Sequence, residues 1–129
     1  MDTISQFITV IRNAGVAKHE KLDVPASKLR AGIAQILVNE GYIRSFKIAK
    51  DSKQGIMRIY LKYDDLGNHV ITAIDRISRP GRRVYVQNDK VPSVRSGLGF
   101  SILSTSQGII GSKQAKDKKL GGEILCSVW

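Results

Sequence analysis

The apolar residues of this chain change their period near Gly41, and that change dictates which elements each part can form. Ile4, Phe7, Ile8 and Ile11 recur at i, i+3, i+4 and i+7, the spacing of one helix face. Leu29, Ile33, Ile36 and Leu37 repeat the pattern. Gly15 is the expected end of the first helix; the second is expected to begin near Ser27 and close at Gly41. Between them, residues 21–24 form a short strand candidate stopped at Pro25. Beyond Gly41 the period is two. Residues 42–48 and 56–63 alternate as strands, joined by the polar turn Asp51, Ser52, Lys53, Gln54 and Gly55. An α-β-α-β-β order buries one sheet face under two helices, enough for a small α+β unit.

Asp64, Asp65, Leu66, Gly67 and Asn68 make a turn cluster, after which helical periodicity nearly vanishes. Strands are expected at 69–77, 83–87, 98–104 and 121–129, with one short lysine-rich helix at 112–120. The expected fold class is therefore α+β. An N-terminal α/β domain over 1–65 packs on a smaller, mainly β C-terminal domain over 66–129. A length of 129 residues allows one domain or two very small ones.

Charge narrows the partners. Lys and Arg number 21 against 11 Asp and Glu, a net charge of +10. Such an excess on a small chain points to a polyanion, either nucleic acid or an acidic membrane surface. Residues 1–66 hold 11 basic and 7 acidic side chains, and the remainder 10 and 4, with no run of five like charges. That is a folded basic surface rather than a basic tail. Membrane binding would need a basic amphipathic helix, and neither of the first two helices is rich in Lys or Arg. The longest uncharged stretch, 96–112, is too short for a span and is broken by four glycines. The opening MDTISQF lacks a signal pattern, and a single cysteine excludes an internal disulfide. The expected class is soluble and intracellular, with no membrane partner.

Catalytic chemistry finds little support. His19, His69 and Cys126 lie far apart, without the paired spacings of zinc ligands, so neither a metal nor another cofactor is expected. His69 reads as a polar surface residue at a turn-to-strand junction, and Cys126 as a small buried hydrophobe. Asp64 and Asp65 read as turn formers. The alternative reading, a metal-dependent nuclease using Asp64, Asp65 or Asp75, has no spacing that would hold the ion.

Nucleic-acid features are better defined. Arg79, Pro80, Gly81, Arg82 and Arg83 set three guanidinium groups around a rigid turn, with Tyr85 on the following strand. Guanidinium fits phosphate, and a tyrosine ring can stack on an unpaired base. Ser104, Thr105 and Ser106 offer small donors and acceptors at a strand end, able to meet ribose hydroxyls and base edges. Gly121, Gly122 and Glu123 allow close approach of a backbone. No aromatic pair of the RRM kind is present, so shape and backbone contacts to structured RNA are favoured over sequence-read DNA.

Taken in register, these motifs resemble the bacterial-type family of small-subunit ribosomal protein number eight. The similarity runs from Ile11-Arg12-Asn13-Ala14 through Arg79-Pro80-Gly81-Arg82-Arg83 to Gly121-Gly122-Glu123 and Trp129. The resemblance implies primary binding to a stem with an irregular internal loop in the central domain of small-subunit rRNA. It implies a part in assembling that domain beside neighbouring ribosomal proteins, as a monomer within the ribosome. Many bacterial members also bind a similar element in their own operon's mRNA and repress translation. The implied location is the cytoplasmic ribosome, or that of an organelle's stroma or matrix if the source is organellar.

Carried over by position, Ser104, Thr105 and Ser106 form the loop that enters the RNA minor groove, beside Tyr85, Gly121, Gly122 and Glu123. Thr3, Ser27 and Lys28 align with backbone-contacting positions, and Arg82 and Arg83 join the RNA-binding set. Three departures stand out. Lys113 and Lys116 replace the arginines usual in the late helix, so bidentate phosphate contacts are not expected there. Asp2-Thr3-Ile4 replaces the usual Asp-Pro-Ile, and Gly111-Ser112 replaces Thr-Asp at the late helix, which leaves Ser112 as its expected cap.

Overall fold

The computed structural model describes residues 3–50, 53–87 and 90–129. Asp51 and Ser52 of the expected hairpin turn, and Asp2 of the opening motif, lie outside the described residues. The fold is α+β, with two antiparallel sheets, and the chain divides into two compact units. One comprises Thr9–Ile71; the other comprises Thr72–Trp129 together with the start of the first helix, through Ile8.

In the Thr9–Ile71 unit, α1 (Thr3–Val16) leads to β1 (Lys21–Pro25), α2 (Lys28–Asn39), β2 (Ile43–Ala49) and β3 (Ile56–Leu61). The sheet order is β1-β3-β2. Along β3 the alternation buries Met57, Ile59 and Leu61 and leaves Ile56 and Arg58 exposed. Ile11 of α1 and Ile33, Ile36 and Leu37 of α2 supply the matching apolar faces. Ser27 caps α2 by accepting the Arg30 N–H at 3.1 Å. The second helix therefore begins and ends where its spacing predicts.

The first helix does not stop at Gly15. It runs to Val16, and Lys18 takes the left-handed turn (φ 60°) while the His19 N–H bonds the Ala14 carbonyl at 3.0 Å. Gly15 serves another purpose: a Cβ there would lie 2.1 Å from Nδ1 of His69. His69 is thus half-buried rather than the surface residue expected. Its ring lies 5.5 Å from that of Tyr63, and its Nε2 is buried without a partner. Burial lowers its pKa. The Tyr63 hydroxyl donates to the His19 carbonyl, and a bridge pairs Tyr63 with His69. The intervening turn closes on Asp64, whose carboxylate accepts the N–H groups of Leu66 and Asn68 at 2.9 and 2.8 Å.

In the other unit, β4 (Ile74–Arg76), β5 (Tyr85–Val86), β6 (Phe100–Thr105), β7 (Gly108–Gly111), α3 (Ser112–Asp117) and β8 (Gly122–Val128) follow in order. The sheet runs β4-β8-β6-β7, with β5 also on β8. The expected strands at 69–77 and 83–87 shrink to three and two residues. Both pair with β8. Its register against β6 shifts between Cys126 and Ile124, leaving Leu125 as an extra residue. β4 pairs with 126–128 and β5 with 122–123, one on each side of that bulge.

β7 has no signal of its own in sequence, since two isoleucines between glycines are too few to show alternation. Ala115 of α3 packs with Leu103, Ile110 and Ile124. The helix covers six residues rather than nine because Lys119 turns left-handed (φ 55°). Ser112 does not cap it. Gly111 holds the cap position, and the Ser112 hydroxyl instead accepts the Ser101 N–H at 3.0 Å.

Three outcomes follow from this packing. Gly→Ala inside a helix normally gains about 1 kcal/mol. At Gly15 the added methyl meets a flat ring, so Gly15→Ala should instead destabilise by about 1–3 kcal/mol, and His69→Ala should relieve much of that in the double variant. Urea denaturation of the four proteins measures it. Because burial lowers the His69 pKa in the folded chain, the unfolded chain takes up its proton first as pH falls. Its contribution is full above about 6.5 and declines below that value toward the lowered folded pKa. Urea midpoints at pH 7.5 and 5.5 should show that decline, and His69→Phe should flatten it. Cys126 is wholly buried, with its thiol pKa pushed up to about 12 by burial. It should resist thiol reagents until the protein unfolds.

Candidate nucleic-acid interface

β6 and β7 form a hairpin whose tip is Ser106 and Gln107, closed by the pair Thr105–Gly108. The three hydroxyls at this tip have different fates. Thr105 Oγ1 donates to the Gly108 carbonyl at 2.9 Å and accepts the Gln107 N–H at 3.2 Å, so it builds the turn. Ser104 and Ser106 spend no side-chain hydrogen bond within the chain among the described residues. Ser106 is exposed and Ser104 half-buried. These two remain available to a ligand.

Strand register sets what stands beside them. Ser104 pairs with Glu123 on β8, and Glu123 pairs with Tyr85 on β5. Opposed residues of antiparallel strands share a face, so Tyr85, Glu123 and Ser104 form one row across three strands. Tyr85 is 68% exposed, which leaves its ring open to stack. Gly122 neighbours the row, and a Cβ there would lie 2.2 Å from the Ser104 carbonyl oxygen. Any side chain at Gly122 would displace the strand that leads to the hairpin tip.

A carboxylate in this row would repel a polyanion were it unpaired. Glu123 is instead tied down on two sides. The buried Ser78 hydroxyl donates to Oε2, and Arg83 forms an ion pair with the same oxygen at 3.1 Å. Ser78 also accepts the Val84 N–H at 3.2 Å, which joins the arginine turn to the row. Arg79 and Arg82 exchange backbone hydrogen bonds across Pro80 and Gly81, and both side chains are exposed. Of the two arginines expected to meet RNA, Arg82 is exposed and Arg83 is shared with Glu123.

The structure thus brings together Ser104, Thr105, Ser106, Tyr85, Gly122, Glu123 and Arg83 in one unit. Gly121 is exposed just before β8. Thr3 opens α1 and is exposed. Ser27 and Lys28 belong to the Thr9–Ile71 unit, where the Ser27 hydroxyl serves as helix cap and Lys28 is the exposed first residue of α2. Ser78 was not foreseen: a serine between strand candidates carries no signal until the fold sets it against Glu123. Among the described residues, no three His, Cys, Asp or Glu side chains stand together as metal ligands. Nor is any helix among them long and apolar enough to cross a membrane.

Comparison with known proteins agrees with the motifs. The family model described as Ribosomal protein S8 matches residues 2–129. The small ribosomal subunit protein uS8 of Bdellovibrio bacteriovorus is 74% identical over the whole of both chains. Those of Geotalea daltonii and Clostridioides difficile are 52% and 51% identical, over 99% of this chain and 97% of theirs. With that coverage and the same ordered motifs, the chain belongs to the ribosomal protein S8 family, whose members are structural rather than enzymatic proteins.

Proposed function

We propose that the chain is an rRNA-binding constituent of the small ribosomal subunit. It binds a stem with an irregular internal loop in the central domain of small-subunit rRNA and helps that domain assemble beside neighbouring ribosomal proteins. The observation that carries this reading is the row Tyr85–Glu123–Ser104, continued by the free hydroxyls at the hairpin tip. Uncharged hydroxyls on a narrow tip suit the shallow RNA minor groove, where ribose 2′-OH groups and base edges are displayed. The exposed Arg79 and Arg82 supply phosphate contacts beside it. The ring of Tyr85 offers a platform for a base displaced from an irregular loop. On this reading the protein works as a monomer on a bacterial cytoplasmic ribosome. A similar RNA element in its own operon's mRNA would compete for the same surface, and so repress translation.

The test separates hydrogen-bond reading from charge attraction. Affinity should fall with salt at a log–log slope of about −2 to −5, corresponding to roughly three to six phosphate contacts. Ser104→Ala with Ser106→Ala should weaken binding to the specific stem by about 1–3 kcal/mol and leave the slope unchanged. Affinity for an unrelated duplex of equal length should barely move. Arg82→Gln should weaken both RNAs and flatten the slope by about 1. Parental affinity of a folded double-alanine protein for the stem would remove the hairpin from the interface.

A further inference from the structure

The outer face of the three-stranded sheet carries a second concentration of positive charge that the hairpin does not account for. Residues 44–62 hold six Lys and Arg against a single acid, Asp51. Strand register places some of these cations side by side. Lys21, Tyr60 and Ser45 form one row across β1, β3 and β2; Asp23, Arg58 and Lys47 form the next. Lys21, Lys47 and Arg58 are exposed. The acid within these rows is not free: Arg58 grips Asp23 with Nε at 2.8 Å and a terminal nitrogen at 3.1 Å. The Lys47 ammonium lies 5.9 Å from the Tyr60 ring centroid, held above it as a cation over a π face.

We propose that this face is a second RNA-binding surface, which seats a sugar–phosphate backbone outside the stem gripped by the hairpin. The proposal rests on the RNA-binding reading above and adds to it a separate set of contacts. Charge complementarity selects the occupant: Lys21 and Lys47 stand on the two strands that flank β3, in successive rows, about 12 Å apart from two strand spacings across and two residues along. That separation lets them engage different phosphates of one backbone. Base stacking is not its mode, because the Lys47 ammonium covers a face of Tyr60. The surface therefore contributes affinity and orientation without sequence selection.

The experiment measures binding of the full chain to two transcripts, the stem alone and the same stem within the longer central domain. Lys21→Gln with Lys47→Gln should weaken the long transcript about tenfold at moderate salt and flatten its slope by about 1.5–2, while leaving the stem alone unaffected. Asp23→Asn releases Arg58 and should tighten the long transcript several-fold, a gain that misfolding cannot imitate. Parental behaviour of both variants on the long transcript would overturn the proposal. Equal losses on both transcripts would also overturn it, by assigning the face to the stem itself. A loss seen only when other small-subunit proteins are added would overturn it in favour of an acidic protein partner. The Ser104→Ala/Ser106→Ala protein serves as the internal reference. If it binds the stem normally while the lysine variant loses the long transcript, the hairpin reading fails and this one stands.

Discussion

A strand inside a sheet needs hydrogen-bonding partners on both edges, and β8 is where the Thr72–Trp129 unit meets that demand. β6 runs along one edge. On the other, β4 and β5 take separate stretches, and between them the Ile77 and Ser78 N–H groups bond the Leu125 and Ile124 carbonyls. The bulge at Leu125 decides which residues of β6 and β8 stand opposite one another past it. Ser104 meets Glu123 only because the register between β6 and β8 shifts by one residue at that point, and Glu123 in turn meets Tyr85 on its other side. Without the shift, the interface row would be composed of different side chains.

The candidate interface divides its polar groups in a way that would suit a polyanion. Each group with a structural duty is satisfied internally, while the groups left over face outward. Thr105 spends its hydroxyl on the turn, and Ser78 spends its own on Glu123 and Val84. Glu123 is neutralised by Arg83, which removes the repulsion a bare carboxylate would exert on phosphate. Ser104, Ser106 and the Tyr85 ring stay uncommitted. An orderly division of this kind limits the conformational entropy lost on binding, since the supporting contacts already exist in the free protein.

The Thr9–Ile71 unit illustrates a different constraint, close packing around a polar ring. Gly15 and His69 are far apart in sequence, yet the absence of a Cβ at one makes room for the imidazole of the other. The cost is a buried ring nitrogen with no partner among the described residues, and the same burial lowers the ring's pKa. The left-handed turn that ends the helix falls on Lys18 rather than on the glycine.

By itself the sequence determined the elements with strong period or chemistry. The helical spacing of Ile33, Ile36 and Leu37, the cap at Ser27 and the alternation along 56–61 are local signals, and the structure bears them out. The α+β class, the concentration of positive charge and the family motifs were legible in the same way. Only the tertiary structure decided the lengths of β4 and β5, the existence of β7, the packing of His69 against Gly15, the tie between Ser78 and Glu123 and the separate duty of Thr105 among three neighbouring hydroxyls. Each of these depends on a partner remote in sequence, or on a register that one bulge can shift. Periodicity reports which face a residue occupies, but not which residue the fold places opposite it.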